Sequence, residues 1–301
     1  MSILNLKLKS VCLNDIDDVT VILPDVPMRT KEQPESFYSS GKKFKVLWLL
    51  HGGRDTMRDW AYYSSIPRLA VQYGIMIVMP NGHDSDYVNH PETGDGFLFK
   101  DYFFRELMPF VHHWLPASPN PADNFLAGAS MGCAATWQYA IEHPEKFGWI
   151  CPMSNQPLDY RHLEPHRYMS TADFRVRAKA DEFAFAPAYG GVGEGIHVKE
   201  INTICKYLTV GEFLDSYENT MPRLEEAIAA GWNMKAYIPC GCAPRDFKLK
   251  KFSEYCASQH LDNMKFEFFE EDTHCFEFWE KAVERFLQEI GIPRCSYFVG
   301  V

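Results

Sequence analysis

Apolar residues along the chain follow two alternating periods, one typical of buried strands and one typical of amphipathic helices. The segments 44–50 and 75–79 are almost continuously apolar, and each ends in a turn that contains glycine. In the segments 102–115 and 276–290, apolar residues recur instead at helical spacing. Short apolar strands separated by helices are typical of a mostly parallel sheet with helices on both faces. The pattern therefore predicts the α/β class.

The two ends of this pattern and its middle depart from the alternation. Two extended segments, 3–9 and 19–23, come before the first buried strand and predict an antiparallel edge of the sheet. The alternation stops near residue 155 and resumes near residue 215. Since a structureless connection of this length is uncommon inside a domain, we expect an inserted helical cap at about 155–215. The whole chain, residues 1–301, is then a single domain with this insertion.

Composition narrows the class of partner. The formal net charge is −10, which argues against nucleic acid and anionic membrane surfaces, because both select clustered Lys and Arg. No apolar run reaches the roughly 18 residues of a membrane-spanning helix, and the first ten residues read as a strand rather than a signal peptide. The nine cysteines show neither pairing signatures nor zinc spacing. We expect a cytoplasmic protein with reduced thiols, no metal and a small-molecule substrate; its oligomeric state, a homo-oligomer included, stays open.

The sharpest local signal for chemistry is the pentapeptide Gly128-Ala129-Ser130-Met131-Gly132. It follows a short apolar strand and opens a helix, which is the strand–turn–helix setting that a nucleophile elbow requires. Glycines fit because the turn is too tight for side chains on its flanks, and the helix N-terminus directs N–H groups at developing negative charge. The simpler alternative is a glycine turn with an N-capping serine. We predict Ser130 as the nucleophile.

A serine nucleophile needs a base and an acid elsewhere in the chain, in the order Ser, acid, His. His274 follows the last predicted strand, 264–269, and is the predicted base; a surface or helix-capping histidine is the alternative. Asp246 follows the penultimate predicted strand and is the predicted acid, which would hold the imidazole tautomer. Asp246 could instead pair with Arg245 or cap the next helix, and Asp159 is the reserve candidate for the acid.

The negative charge of an acyl-transfer intermediate requires backbone donors near the nucleophile. In such a site, one donor is the N–H of the residue after the serine, and the other comes from an earlier strand-to-helix turn. These positions are Met131 and the turn His51-Gly52-Gly53-Arg54, in which Gly53 is the predicted donor.

With these residues in place, the sequence resembles the esterase family that includes esterase D, S-formylglutathione hydrolase and the bacterial tributyrin esterases. The resemblance runs from about residue 44 to residue 290 and includes the nucleophile pentapeptide. Further motifs that carry it are Leu49-Leu50-His51-Gly52-Gly53, Met79-Pro80-Asn81-Gly82, Tyr87-Val88-Asn89, Asp101-Tyr102 leading to Glu106-Leu107, Cys240-Gly241 before Asp246-Phe247, and His274 before Trp279. The resemblance implies the α/β-hydrolase fold, the triad Ser130, Asp246 and His274, and hydrolysis of short-chain acyl esters without a cofactor.

The sequence departs from the family pattern at several points. Cys133 stands where the family usually has a second glycine after Ser-Met-Gly, and the acid loop is longer than that of many tributyrin esterases. The turn after His51 lacks the Gly-Leu-Thr-Cys character of S-formylglutathione hydrolases, so that substrate is not favoured. The segment 155–215, which would set substrate choice, has no close resemblance.

We therefore expect a serine carboxylesterase acting on short-chain acyl esters, with acetyl, sugar and phenolic esters as candidates. The alternatives on the same triad are thioester hydrolysis, as in S-formylglutathione hydrolases, peptide hydrolysis, and acyl transfer to a sugar. A non-enzymatic binding protein built on the fold is the remaining alternative. Reaction of Ser130 with a fluorophosphonate probe discriminates between a non-enzymatic binding protein and the enzymatic alternatives.

Overall fold

A twisted sheet forms the framework of the protein. The computed structural model describes residues 1–24, 34–91, 96–179, 198–241, 247–270 and 274–295. In this part of the chain the sheet has eight strands: β1 (Ser2–Ser10), β2 (Asp15–Leu23), β3 (Val46–Leu50), β4 (Met76–Pro80), β5 (Asn124–Ala129), β6 (Trp149–Met153), β7 (Lys235–Cys240) and β8 (Met264–Phe268).

The strands are ordered β1-β2-β4-β3-β5-β6-β7-β8 across the sheet. The six strands β4, β3, β5, β6, β7 and β8 are parallel to one another. Strands β1 and β2 form an antiparallel hairpin, and β2 pairs antiparallel with β4. The predicted antiparallel edge and the predicted parallel sheet are both confirmed. In sheets of this kind, functional side chains gather at the carboxyl ends of the parallel strands.

Helices connect the strands and lie on both faces of the sheet. Those in the described residues are α1 (Pro34–Tyr38), α2 (Asp59–Tyr63), α3 (Ile66–Tyr73), α4 (Phe99–Asp101), α5 (Met108–Trp114), α6 (Met131–Glu142), α7 (Thr171–Lys179), α8 (Val198–Ile204), α9 (Val210–Leu214), α10 (Thr220–Ala229), α11 (Phe247–Ser258) and α12 (Phe276–Glu289). None of these helices has both the length and the apolar character needed to cross a bilayer.

Two predicted helices differ from the observed ones. The helix expected at about 60–73 is divided into α2 and α3, because Ser64 is extended (φ −143°, ψ 171°) and Pro67 starts a new helical turn. The helix expected at 102–115 contains a wide π-helical turn, Tyr102–Leu107, between α4 and α5. This wide turn lies just before Pro109, which lacks an N–H and whose ring crowds the carbonyl four residues earlier in a regular helix.

The core lies on both faces of the sheet, and β3 shows why its sequence is continuously apolar. Val46, Trp48 and Leu50 face the layer formed by α5, α6, α10 and α11, while Leu47 and Leu49 face the layer of α3 and α12. All five side chains are fully buried. A strand buried on both faces has no polar alternation.

A third apolar cluster is formed by residues that follow β6 and precede β7 in the chain, where the sequence predicts the cap. Phe174 of α7, Ile204 of α8 and Phe213 of α9 are fully buried in it. Thr203 also donates a hydrogen bond to Asp86, in the loop after β4 (3.5 Å). These helices therefore have an apolar cluster of their own and contact a loop at the carboxyl end of the sheet. The glycine-rich part of the predicted cap lies outside the described residues.

Candidate active site

Ser130 lies in a strained turn between β5 and α6. Its backbone has φ 54° and ψ −112°, a region that non-glycine residues rarely occupy. The Ser130 N–H donates to the carbonyl of Met153 on β6 (3.2 Å), and its carbonyl accepts from the N–H of Cys133 (3.0 Å). The sheet and the helix therefore hold the turn from both sides. The half-buried Ser130 side chain is placed at the carboxyl end of the parallel strands.

The two glycines of the pentapeptide are required by close backbone contacts. A Cβ atom added to Gly128 would lie 2.2 Å from the carbonyl oxygen of Gly132. One added to Gly132 would lie 2.7 Å from the carbonyl oxygen of Leu50 and 2.9 Å from that of His51. Ser130, moreover, makes no side-chain capping hydrogen bond to α6, so the simpler explanation of an N-capping serine does not describe this turn.

The turn after β3 packs directly against Ser130. A Cβ added to Gly52 would lie 3.4 Å from Ser130 Cβ and 3.8 Å from the carbonyl oxygen of Ala129. The two residues predicted as oxyanion donors lie next to this contact: Gly53 follows Gly52, and Met131 is the first residue of α6. The structure thus brings the predicted donor positions to Ser130, and their role as donors stays a prediction.

His51 fixes this turn to the loop after β4. Its ring is buried, with Nε2 accepting a hydrogen bond from the Gly82 N–H (2.8 Å) and Nδ1 lying 2.7 Å from the Gly52 carbonyl oxygen. Since Nε2 accepts, the proton is on Nδ1, which donates to Gly52. Burial lowers the pKa of His51, so the ring is neutral near pH 7. His51 therefore ties two loops together.

Tyr87 completes the support of the same turn. Its hydroxyl accepts a hydrogen bond from the His51 N–H (3.0 Å), and its carbonyl accepts one from the Tyr139 hydroxyl of α6 (2.6 Å). The Tyr87 ring occupies the space over Gly82, where an added Cβ would lie only 2.3 Å from ring carbons. Sequence analysis identifies His51 and Tyr87 only as parts of motifs, because their partners lie tens of residues away in the chain.

His274 is connected to the nucleophile turn through a chain of contacts. Its ring meets the edge of the Trp279 indole, with centroids 5.3 Å apart. The Trp279 Nε1 donates to the Ser154 hydroxyl (2.8 Å), and Ser154 follows Met153, the residue that accepts the N–H of Ser130. The predicted base and the predicted nucleophile therefore lie at the same end of the sheet. The three residues before His274 lie outside the described residues.

Of the two candidates for the triad acid, only Asp159 lies in the described residues. Asp246, the predicted acid, lies outside the described residues, immediately before α11. The carboxylate of Asp159 accepts hydrogen bonds from the Arg161 guanidinium, at 2.6 Å from Nη2 and 3.0 Å from Nε. Burial raises the pKa of Asp159, but the bonds from Arg161 outweigh it and lower the pKa overall. Asp159 therefore already has a cationic partner.

An aromatic surface adjoins His274. The ring of Phe276, two residues after His274, lies 5.6 Å from the ring of Tyr63, 5.3 Å from that of Trp60 and 5.2 Å from that of Trp279. Tyr63 is largely exposed, whereas Trp60 and Trp279 are buried. In this group, called the aromatic wall below, exposed Tyr63 and half-buried Phe276 offer ring surface to a ligand bound near His274, and Trp60 and Trp279 support them from behind.

The described residues offer little for a metal ion. Within them, no group of three or more His, Cys, Asp or Glu side chains is arranged to hold one.

Cys133, which replaces a family glycine after the pentapeptide, is buried and donates through Sγ to the carbonyl of Asn155 (3.2 Å). Burial raises the pKa of the Cys133 thiol, so it stays protonated and packs as a small apolar group.

Comparisons with protein families and curated proteins agree with this geometry. The family model described as "Putative esterase" matches residues 27–283. An acetyl esterase of Caldicellulosiruptor saccharolyticus is 24% identical over 151 residues. That match covers 47% of this chain and 56% of the acetyl esterase, so it spans little more than half of the relative.

Solved structures resemble the protein over nearly its whole length. The S-formylglutathione hydrolase FrmB of Staphylococcus aureus is 22% identical, with a TM-score of 0.67, and the match covers 96% of this chain and 98% of that one. The fluorophosphonate-binding serine hydrolase F of Staphylococcus aureus is 23% identical, with a TM-score of 0.66 and the same coverage. Identities of this size show the fold. The α/β-hydrolase fold predicted from the sequence is confirmed.

Proposed function

The chain belongs to this esterase family, and from that premise we propose that it is a serine carboxylesterase acting on short-chain acyl esters. The observation that carries the proposal is the strained backbone of Ser130, held at the carboxyl end of β5 against the glycine turn after β3. Such strain costs of order 1–3 kcal/mol and persists where the surrounding structure enforces it, most often at functional sites.

The proposed reaction is acyl transfer in two steps. Ser130 attacks the ester carbonyl while His274 takes the hydroxyl proton, and the proton is then given to the leaving alcohol. The amides of Met131 and Gly53 stabilise the oxyanion; each such donor contributes about 10²–10³ in turnover. Asp246 orients the imidazole and stabilises its protonated form. Water activated by His274 then releases the acid and restores Ser130.

The proposed substrate is a small ester with a short acyl group, such as acetyl. The aromatic wall beside His274 supports substrates that carry a ring or an apolar group, phenolic and sugar esters among them. We further propose that the chain is one domain in which about residues 155–215 form a cap that shapes this pocket. The apolar cluster of α7, α8 and α9 supports this reading.

The net charge and the cysteines support a small-molecule partner and a cytoplasmic location. A net charge of −10 favours a small-molecule partner over nucleic acid. All eight cysteines that the structure describes are free thiols, which supports a reducing compartment, the cytoplasm.

The test is covalent labelling together with ester turnover. We expect the wild type to react with a fluorophosphonate probe and to hydrolyse p-nitrophenyl acetate, with activity falling toward the octanoate. Ser130→Ala should abolish labelling, and Ser130→Ala and His274→Ala should each lower kcat by on the order of 10⁴-fold or more. Ser258→Ala and His113→Ala, at exposed helical positions, are the matched controls. Retained turnover in Ser130→Ala would contradict the proposal.

Two further arms separate the alternatives. Asp246→Asn should lower kcat by about 10⁴-fold, whereas Asp159→Asn should leave it near the wild-type value, because Asp159 is engaged by Arg161. Formylglutathione, a peptide substrate and a sugar acyl acceptor are assayed in parallel. A kcat/KM for any of these that exceeds the value for short-chain esters would assign the site to that reaction instead.

A further inference from the structure

A carboxylate lies beside Ser130 and has no part in the hydrolysis described above. Asp55 is in the connection between β3 and α2, three residues after Gly52. A Cβ added to Gly52 would lie 2.9 Å from Asp55 Oδ2 and 3.4 Å from Ser130 Cβ. The carboxylate and the nucleophile therefore both pack against the side of Gly52 where another residue would carry its Cβ.

The Asp55 carboxylate has few interactions with the residues around it. No Lys, Arg or His of the described residues forms an ion pair with Asp55, and its hydrogen bond is to the backbone of Gly52. Burial, and then the nearby charge of Asp59, raise the pKa of Asp55. Asp59 itself has a structural task, since its Oδ2 accepts the Thr56 N–H (2.7 Å). A half-buried carboxylate without a cation costs free energy, so stability does not explain Asp55.

A negative charge at this place also opposes the reaction unless the substrate compensates for it. The ester oxygen becomes negative as Ser130 attacks, and a nearby carboxylate repels that developing charge. A hydrogen-bond donor on the substrate would engage Asp55 and remove the penalty. Exposed Arg54 and Arg58 balance the charges of Asp55 and Asp59 in the same connection, so this connection has no net negative charge to attract a cationic substrate. A neutral hydroxyl is therefore the donor that fits.

We propose that Asp55 is a specificity-determining residue that accepts a hydrogen bond from a hydroxyl group of the substrate, close to the scissile ester. The inference rests on the proposed esterase activity and specifies its substrate class: esters of polyols or hydroxy acids in preference to plain alkyl esters. The Asp55 charge at the same time rejects substrates with a carboxylate at that position.

The test compares esters that differ by one group next to the same acyl bond. Ethyl acetate is the reference; 2-hydroxyethyl acetate adds a hydroxyl on the alcohol side and ethyl glycolate adds one on the acyl side. Acetylcholine supplies a cation and acetoxyacetate an anion. Released acid is titrated at constant pH for the wild type, Asp55→Asn and Asp55→Ala. Asp59→Asn is the matched control, because it removes the same charge in the same turn and keeps the capping oxygen.

The expected readout is a ratio of kcat/KM values, which a general loss of activity does not change. In the wild type, at least one hydroxylated ester should exceed ethyl acetate. This ratio should fall about tenfold in Asp55→Ala and by less in Asp55→Asn, which keeps a neutral acceptor. It should be unchanged in Asp59→Asn. Acetoxyacetate should be the poorest substrate of the wild type and should gain relative to ethyl acetate in both Asp55 variants.

Two results would overturn the inference and are distinguishable from failure of the proposed function. Ratios that are the same in the wild type and both Asp55 variants would refute the role of Asp55 alone. A wild type that prefers acetylcholine or acetoxyacetate to the hydroxylated esters would refute the hydroxyl as the recognised group. A wild type that hydrolyses none of the esters would refute the esterase function itself, and this inference with it.

Discussion

Replacing Tyr87 by Phe tests whether the buried support of the glycine turn is needed for catalysis. The change removes one oxygen atom, which accepts the His51 N–H at 3.0 Å, and leaves the ring over Gly82 in place. Tyr87 is only 2% exposed, so water has little access to replace the lost acceptor. Burial also raises the pKa of Tyr87, so the residue is a neutral phenol and the substitution changes no charge.

The expected effect on stability follows from the orphaned donor. A buried N–H that loses its partner costs about 1–3 kcal/mol. The effect on turnover comes from His51, which immediately precedes Gly52 and Gly53. Positional errors near 1 Å in a catalytic site cost up to about 10²-fold in rate, so we expect kcat to fall about tenfold or more. Urea unfolding gives the first quantity, and p-nitrophenyl acetate hydrolysis gives the second.

Tyr139→Phe is the matched control. It is the same chemical change at a fully buried residue, and it removes the 2.6 Å hydrogen bond to the carbonyl of Tyr87 rather than the bond to His51. Both variants should lose comparable free energy of unfolding, but Tyr87→Phe should lose more kcat. If the two lower kcat by the same factor, the link from Tyr87 through His51 to catalysis is refuted.

Two further predictions concern the elbow and the pH dependence of stability. Gly132→Ala should lower both the unfolding temperature and kcat, because its Cβ would lie 2.7 Å from the Leu50 carbonyl oxygen; Gly41→Ala, with φ 67° and open space around it, should cost only about 1 kcal/mol of backbone strain. A normal unfolding temperature for Gly132→Ala would contradict the contact. Asp17, beside His83 (3.3 Å), has its pKa raised to about 6 by burial, so its folded form holds a proton more tightly than the unfolded chain does. Wild type should therefore lose stability relative to Asp17→Asn as pH rises from about 4 through about 6, by up to about 3 kcal/mol. A difference in urea midpoint between the two proteins that is the same at pH 4 and at pH 7.5 would refute this.

The parts of the fold that the sequence predicts well are those governed by local pattern. The continuous apolar run of β3 marks a strand buried on both faces. The pentapeptide around Ser130 marks a strand–turn–helix, and Gly128 is required by a contact only four residues away, with Gly132, whereas Gly132 is required by its contacts with distant Leu50 and His51. The wide turn before Pro109 was not predicted, since helical spacing of apolar residues does not reveal a local change in helix type.

The parts of the site that the sequence does not predict depend on contacts between distant segments. His51 bonds to Gly82 and to Tyr87, which are 31 and 36 residues away. Nothing in the local pattern of any of these residues indicates that they meet. Asp55 is a similar case, because its nearness to Ser130 follows from the packing of two turns rather than from spacing along the chain. For Asp246 the sequence remains the basis of the assignment.

The network of His51, Gly82, Tyr87 and Tyr139 joins the turns after β3 and β4 to α6 by hydrogen bonds that involve no residue of the segment between β6 and β7. The support of the glycine turn thus depends on none of α7, α8 and α9, whereas Ser154 and Asn155, directly after β6, accept hydrogen bonds from Trp279 and Cys133 near the predicted site. In evolution and in engineering, α7, α8 and α9 can then be exchanged for the helices of a relative, with Ser154 and Asn155 retained, while the turn after β3 keeps its geometry. Such grafts offer a direct route to new ester preferences in this scaffold.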